Sequence, residues 1–154
     1  MNASPNPPAR TPLITPRLFS HGTIECQDMK ATRRFLEEFL GLDVIRPLPE
    51  AQYMWKGGPW TVVCVVVDAE AKEQTPDNHF EIALATAAEV EAAHEKARRL
   101  AATYGIREVR EVVDEEDGVR SFLLYDLNNV WWKLSNRGLG HFDALFARGD
   151  QATL

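Results

Sequence analysis

The sequence predicts an α+β fold: two βαβββ modules forming a curved mixed sheet, a half-barrel, with the helices on its convex face. Three observations predict it. A strand–helix–three-strand pattern runs from residue 18 to about 67 and restarts at 79. Each run opens on a strand whose polar face begins with a histidine, His21 and His79. Neither run can bury both faces of its own sheet, so the two must pair.

The elements follow in order. Residues 18–26 alternate as a strand, with Gly22, Ile24 and Cys26 on one face and His21, Thr23 and Glu25 on the other. Residues 29–40 read as an amphipathic helix through Phe35, Leu36, Phe39 and Leu40, with Asp28 as N-cap and Gly41 as its stop. Strands are expected around 43–46, 52–56 and 60–67. A polar linker, 68–77, separates the runs. In the second run, 79–85 places His79, Glu81, Ala83 and Ala85 opposite Phe80, Ile82 and Leu84. Thr86 and Glu89 make a capping box for a helix over 87–104 that Gly105 can end with positive φ. Strands at about 106–113, 119–126 and 130–135 complete the module.

The chain thus divides into an extended or disordered arm over 1–16, a paired domain over 17–136 and a tail over 137–154. The arm holds five of the nine prolines, and proline removes backbone donors. The 154 residues are 45% hydrophobic and 26% charged, which suits one ordinary domain with a normal core. A net charge of −6 without a Lys/Arg cluster argues against nucleic acid as a partner. No apolar run approaches the roughly 18 residues of a membrane span, and no signal core opens the chain, so a cytoplasmic protein away from membranes is expected. Cys26 and Cys64 read as small buried thiols.

The stretches SHGTIECQDMKATRRFLEEFLGLDV, NHFEIAL and YDLNNVWWKLSN, in that order, resemble the vicinal-oxygen-chelate superfamily of glyoxalases, bleomycin-resistance proteins and extradiol dioxygenases. The resemblance covers roughly residues 17–136. It implies that His21 and His79 ligate a divalent metal and that a glutamate on the last strand completes the set. Lys133 stands at that glutamate's position, and Leu127, Asn128 and Asn129 replace the usual Pro-Asp-Gly of the closing turn. Asn tolerates left-handed geometry, so the turn is expected to survive.

Two imidazoles suit Fe, Mn, Zn, Ni or Co, but a third ligand is the usual minimum. Two unit charges about 4 Å apart interact by ~4 kcal/mol at an effective dielectric near 20, and a dication beside Lys133 would double that. Glu81 or Glu25, on the histidine faces, could restore a carboxylate. The expected cofactor is therefore one such divalent metal, or none where Lys133 occupies the metal position.

Each candidate has a plain reading beside a chemical one. His21 and His79 are structural histidines or pocket groups. Lys133 is a rim lysine in water, or a cationic anchor or base working with Glu81. Trp55, Trp131 and Tyr53 are candidate substrate-binding walls, although tryptophans here, with Trp60 and Trp132, equally serve cores and dimer contacts. His94 reads as a boundary residue. The tail, with His141, covers the cavity mouth or packs on a second subunit.

Two functions compete. One is a small-molecule enzyme of the glyoxalase or extradiol-dioxygenase type: a dioxygenase, lyase or isomerase on an oxygenated, enolisable or aromatic substrate. With Lys133 in place of metal, Lys133 would stabilise an oxyanion while His21, His79 or Glu81 moved protons. The other is a non-catalytic binding protein of the bleomycin-resistance type. A homodimer is expected in either case.

Overall fold

A computed structural model of the chain describes residues 13, 14, 16, 18, 20–57, 61–138 and 140–148. Most of the expected arm, and Trp60, lie outside the described residues. The first module is β1 (His21–Cys26), α1 (Met29–Arg34) continued by a π-helical turn (Phe35–Phe39), β2 (Asp43–Leu48), β3 (Ala51–Trp55) and β4 (Thr61–Val66). The second is β5 (His79–Ala83), α2 (Ala87–Tyr104), β6 (Glu108–Val109), β7 (Val113–Asp114), a 3-10 turn (Glu116–Gly118), β8 (Arg120–Tyr125) and β9 (Trp131–Ser135). A third helix, α3 (His141–Arg148), follows where a tail was expected.

Local chemistry sets the boundaries. The Asp28 carboxylate accepts from the Ala31 amide at 2.9 Å, which caps α1. The capping box at α2 is complete: Thr86 accepts from the Glu89 amide, and the Glu89 carboxylate accepts from the Thr86 amide. Gly105 closes α2 at φ +68°, and a Cβ there would meet the Leu127 side chain at 3.1 Å, so both backbone angle and space call for glycine.

The half-barrel is built from two sheets with the same topology. Strand order is β1-β4-β3-β2 in one and β5-β9-β8-β6 in the other, with β7 also pairing β8. In each, the first strand runs parallel to the last. The single strand expected over 106–113 is broken into β6 and β7. The break falls where Glu111 reaches toward Arg98 and His94 on α2.

One hydrophobic core joins the modules. Ile24, Cys26, Phe35, Leu36, Met54 and Val62 of the first belong to the same cluster as Val90, Ala97, Phe122, Trp132 and Leu134 of the second. The Phe35 and Trp132 rings meet at 6.4 Å, and Thr32 donates to the Asn128 side-chain oxygen at 3.1 Å in the interior. Cys26 and Cys64 are free and fully buried. The Cys26 hydrogen bond and burial push the Cys64 thiol up, which keeps it protonated and inert. His94, expected at a boundary, is buried against Phe122, their rings 5.2 Å apart.

The closing turn between β8 and β9 survives its departure from Pro-Asp-Gly. Asn129 takes φ +64°, the left-handed angle that asparagine tolerates. Asp126 organises the turn, accepting from the amides of Asn128 (2.7 Å) and Val130 (3.0 Å) and from the Trp132 indole (2.8 Å). Burial pushes its carboxyl up to about 6 against those three donors.

Candidate functional site

The inner faces of the two sheets can be laid on each other through their registers. His21 pairs with Thr61 and His79 with Trp131, each at the start of a parallel ladder. Two residues on, the first module aligns Thr23, Val63, Tyr53 and Ile45 across its strands. The second aligns Glu81, Lys133 and Leu123. The next row is Glu25, Val65 and Ala51 in one module, and Ala83, Ser135 and Ser121 in the other. Lys133 therefore occupies the repeat position of Val63, and its neighbour Glu81 that of Thr23.

Around Lys133 the second module gathers an ion-pair network. The Lys133 ammonium lies 2.6 Å from Glu115 Oε1, and the Arg137 guanidinium 2.6 Å from Glu115 Oε2. Ser121 donates to the same Glu115 carboxylate. Arg137 also donates to Glu81 at 3.1 Å, and Ser135 donates to the same oxygen. Side-chain exposure is only 16% for Lys133, 19% for Arg137, 23% for Glu81 and 24% for Glu115, so these charges interact with weak solvent screening. Burial alone would raise Glu115, but Lys133, the Ser121 hydroxyl and Arg137 outweigh it and hold its carboxyl below the usual range. The Arg137 guanidinium is also 3.1 Å from His141 Nε2, which ties the start of α3 to the network.

The histidines remain within their own modules. His21 is exposed at the edge of its sheet, with Nδ1 3.0 Å from the Ser20 hydroxyl. His79 Nδ1 donates to the Pro76 carbonyl at 2.7 Å, which leaves Nε2 as the acceptor nitrogen. Among the described residues, no hydrogen bond or ion pair joins the two rings. Glu25 accepts from the Lys72 amide at 3.1 Å, and Glu81 is engaged as above, so both carboxylates that might complete a ligand set are committed elsewhere. No three of His, Cys, Asp and Glu are gathered as a metal-binding group among the described residues. With a paired lysine at the third position, this donor set does not fit a divalent cation.

A cavity of about 230 Å³ opens between the β3–β4 hairpin and β5, lined in part by Met54, Trp55, Thr61, Phe80, Glu81 and Trp132. It brings together Trp55, half exposed, and Glu81 from opposite modules. Tyr53 lies on the inner face of its own sheet, beside Val63 and Ile45. Trp131 is only 4% exposed: it stacks on Tyr125 at 4.8 Å, lies under the Arg110 guanidinium at 4.5 Å and donates to the Gln74 carbonyl at 3.1 Å. The linker thus covers the ring.

The groups absent from the sequence reading are Glu115, Arg137, Ser121 and Ser135. Ser121 and Ser135 lie on strands that were foreseen, and their place on the same strand faces as Leu123 and Lys133, one row on, was the available signal. Glu115 and Arg137 lie in irregular segments, where no periodicity points inward.

No protein-family model matches the chain, and no curated protein matches it. Solved structures do match it. The fosfomycin resistance protein FosX from Listeria monocytogenes aligns at TM-score 0.65 and 23% identity, over 81% of this chain and 97% of that one; it is also known complexed with Mn(II) and sulfate ion. FosX from Mesorhizobium loti aligns at TM-score 0.61 and 19% identity, over 85% and 99%. Lactoylglutathione lyase from Agrobacterium tumefaciens aligns at 0.57 and 16%, over 78% and 93%. These likenesses show that the present chain shares the fold of those proteins.

Proposed function

We propose that the chain is a small-molecule enzyme of the glyoxalase type that uses the inner face of its second module without a divalent metal. The observation that supports this reading is the Lys133–Glu115 ion pair: it holds a shielded cation at the position where the resemblance implies a metal-binding glutamate. A cation there can stabilise an oxyanion as a metal would. Glu81, one strand away in register, and His79, with Nε2 open as an acceptor, are the groups to move a proton. An isomerase or lyase acting on an enolisable, oxygenated substrate needs no more than that. Ring-opening dioxygenation needs an oxygen-binding metal, which this donor set does not favour. Trp55 and Tyr53 would supply apolar walls.

A second reading is favoured by a specific observation: both carboxylates of the face are engaged by cations and hydroxyls, as suits a non-catalytic binding protein of the resistance type. Similarity to FosX and to a lyase is compatible with either. No described helix is long and apolar enough to cross a membrane. A homodimer belongs to both readings, supported by apolar residues left exposed on the first sheet and on α3.

The test is metal content of untagged protein, for wild type and for Lys133→Glu. The wild type should be metal-poor, and Lys133→Glu should gain Mn(II) or Zn(II). Stoichiometric metal in the wild type, lost in His21→Ala or His79→Ala, would overturn the metal-independent reading. Deuterium exchange at carbon next to a carbonyl, followed by NMR across a substrate panel, separates enzyme from binder.

A further inference from the structure

Glu115 is held as a ligand would be. Its two carboxylate oxygens are taken up separately, Oε1 by the Lys133 ammonium and the Ser121 hydroxyl, Oε2 by the Arg137 guanidinium. Three donors from β8, β9 and the segment after β9 thus converge on one carboxylate. Regular strands supply Lys133 and Ser121, so those two donors keep their places whatever the carboxylate does. The carboxylate itself comes from a loop. Glu115 precedes a tight turn in which Asp117 at φ +58° and Gly118 at φ +73° both take left-handed angles. The Glu115 amide is itself bonded to the Val119 carbonyl at 2.7 Å, so release of the carboxylate is a rotation of the side chain on a held backbone.

We infer that Glu115 is an internal stand-in for an external monoanionic carboxylate, and that Lys133, Arg137 and Ser121 form the receptor for that carboxylate once Glu115 swings out. The inference rests on the metal-independent reading of this face and names the ligand class for it. Charge selects a monoanion. With Glu115 withdrawn, Lys133 and Arg137 contribute two positive charges, Glu81 returns one negative charge, and one positive charge remains to be matched. Arg presents a planar fork suited to a carboxylate, while Lys adds a point charge. Leu123, beside Lys133 in register, offers the apolar contact for the ligand's body. His141, against Arg137, places α3 at the border of the receptor.

An internal competitor lowers apparent affinity by the fraction of time it vacates the site. Titration of acetate and benzoate into the full chain in the presence of a chelator, followed by amide shifts in NMR, reads this directly. Glu115→Ala should bind benzoate about tenfold or more tightly than wild type. Glu115→Gln, which keeps the side chain's size, should gain in the same direction, and it carries the test if the alanine variant does not fold. Adding Lys133→Met to either variant should abolish the gain. Two outcomes overturn the inference: no gain in a folded Glu115 variant, or a gain that survives loss of Lys133. Metal analysis is separate. If wild type is metal-poor and no Glu115 variant gains affinity, the carboxylate receptor fails while the metal-independent reading stands. If wild type carries stoichiometric metal, that reading fails whatever the titration gives.

Discussion

The two modules share a topology, a register and an opening histidine, yet their inner faces are chemically unlike. The first is largely apolar across its middle row: Thr23, Val63, Tyr53 and Ile45, with Ile45 63% exposed. The second carries Lys133, Glu81, Ser121 and Ser135, into which Glu115 and Arg137 reach from outside the sheet. Repetition of fold therefore fixes where side chains point, and not what they do. A shielded ion-pair network on one face and an exposed apolar surface on the other make different claims on stability, assembly and pH, and each can be pressed separately.

The largest effect is expected at Arg137. Its guanidinium is shared by Glu115 and Glu81 and touches His141, so Arg137→Ala would take a cation from two carboxylates at once, leaving Glu115 to Lys133 and Glu81 to the Ser135 hydroxyl, and would release α3. Breaking a buried pair from one side costs about 3–5 kcal/mol, and partial exposure here lowers the expectation to about 2–3 kcal/mol of unfolding stability. Urea denaturation measures it. A loss below about 0.5 kcal/mol, the scale of an exposed pair, would mean that solvent already screens the network and the contrast between the faces is superficial.

The next effect concerns the apolar face. If the chain forms the proposed homodimer, Ile45→Glu should convert it to monomer in sedimentation velocity while leaving urea stability of the monomer nearly unchanged, since the side chain is 63% exposed. A similar change on α3, Phe146→Glu at 84% exposure, tells whether the helix shares that surface. If Ile45→Glu leaves a dimer intact, the first module's inner face is not part of the interface, and its exposed apolar residues are free for a ligand.

How far this difference could be read beforehand depended on what kind of segment carried it. The paired modules, the capping box at Thr86 and Glu89, the left-handed Gly105 and the inward face of His79, Glu81 and Lys133 all follow from periodicity or from a residue with a strong backbone preference. Lys133 could be recognised as out of place. Its partner could not, because Glu115 stands in an irregular turn 18 residues away, and only the folded sheet brings them together. Arg137 follows β9 in a stretch without secondary structure, whereas α3 carried a readable signal, Phe142, Leu145 and Phe146 at helical spacing, that the reading of 137–154 as a tail passed over. The two-sheet construction and the broken β6–β7 edge likewise depend on tertiary contacts such as Glu111 against α2.

A smaller, pH-dependent effect separates two acids of the second module. Glu115 is held below the ordinary carboxylate value of 4.5 by Lys133, Ser121 and Arg137, so its contribution to stability is present above 4.5 and is lost as pH falls through the lower folded value. Asp126 runs the other way. Its carboxyl is raised from 3.8 to about 6, so the native state binds the extra proton between those values, and stability from this group is lost as pH rises through about 6. Together they predict stability rising as pH drops from about 6 toward 4.5, with the loss from Glu115 setting in below that. Thermal melts across pH 3–7 should show that maximum, and Glu115→Gln should remove its acid side only. A monotonic curve would place the governing acids elsewhere.

The smallest effect comes from the first module's own inner-face acid. Glu25 meets Lys72 at 3.8 Å, but that lysine is 89% exposed, and the closer contact is the Lys72 amide at 3.1 Å. An exposed pair of that kind contributes about 0–1 kcal/mol, so Lys72→Met should change urea stability by about 0.5 kcal/mol or less. Glu25→Gln retains an oxygen to accept from the amide and should be as mild. On the second face, Glu81→Gln must give up a charged bond to Arg137 at 19% exposure and should lose more than Glu25→Gln does. Equal losses at Glu25 and Glu81 would show that position in the repeat, rather than the surrounding charges, decides what an inner-face carboxylate is worth.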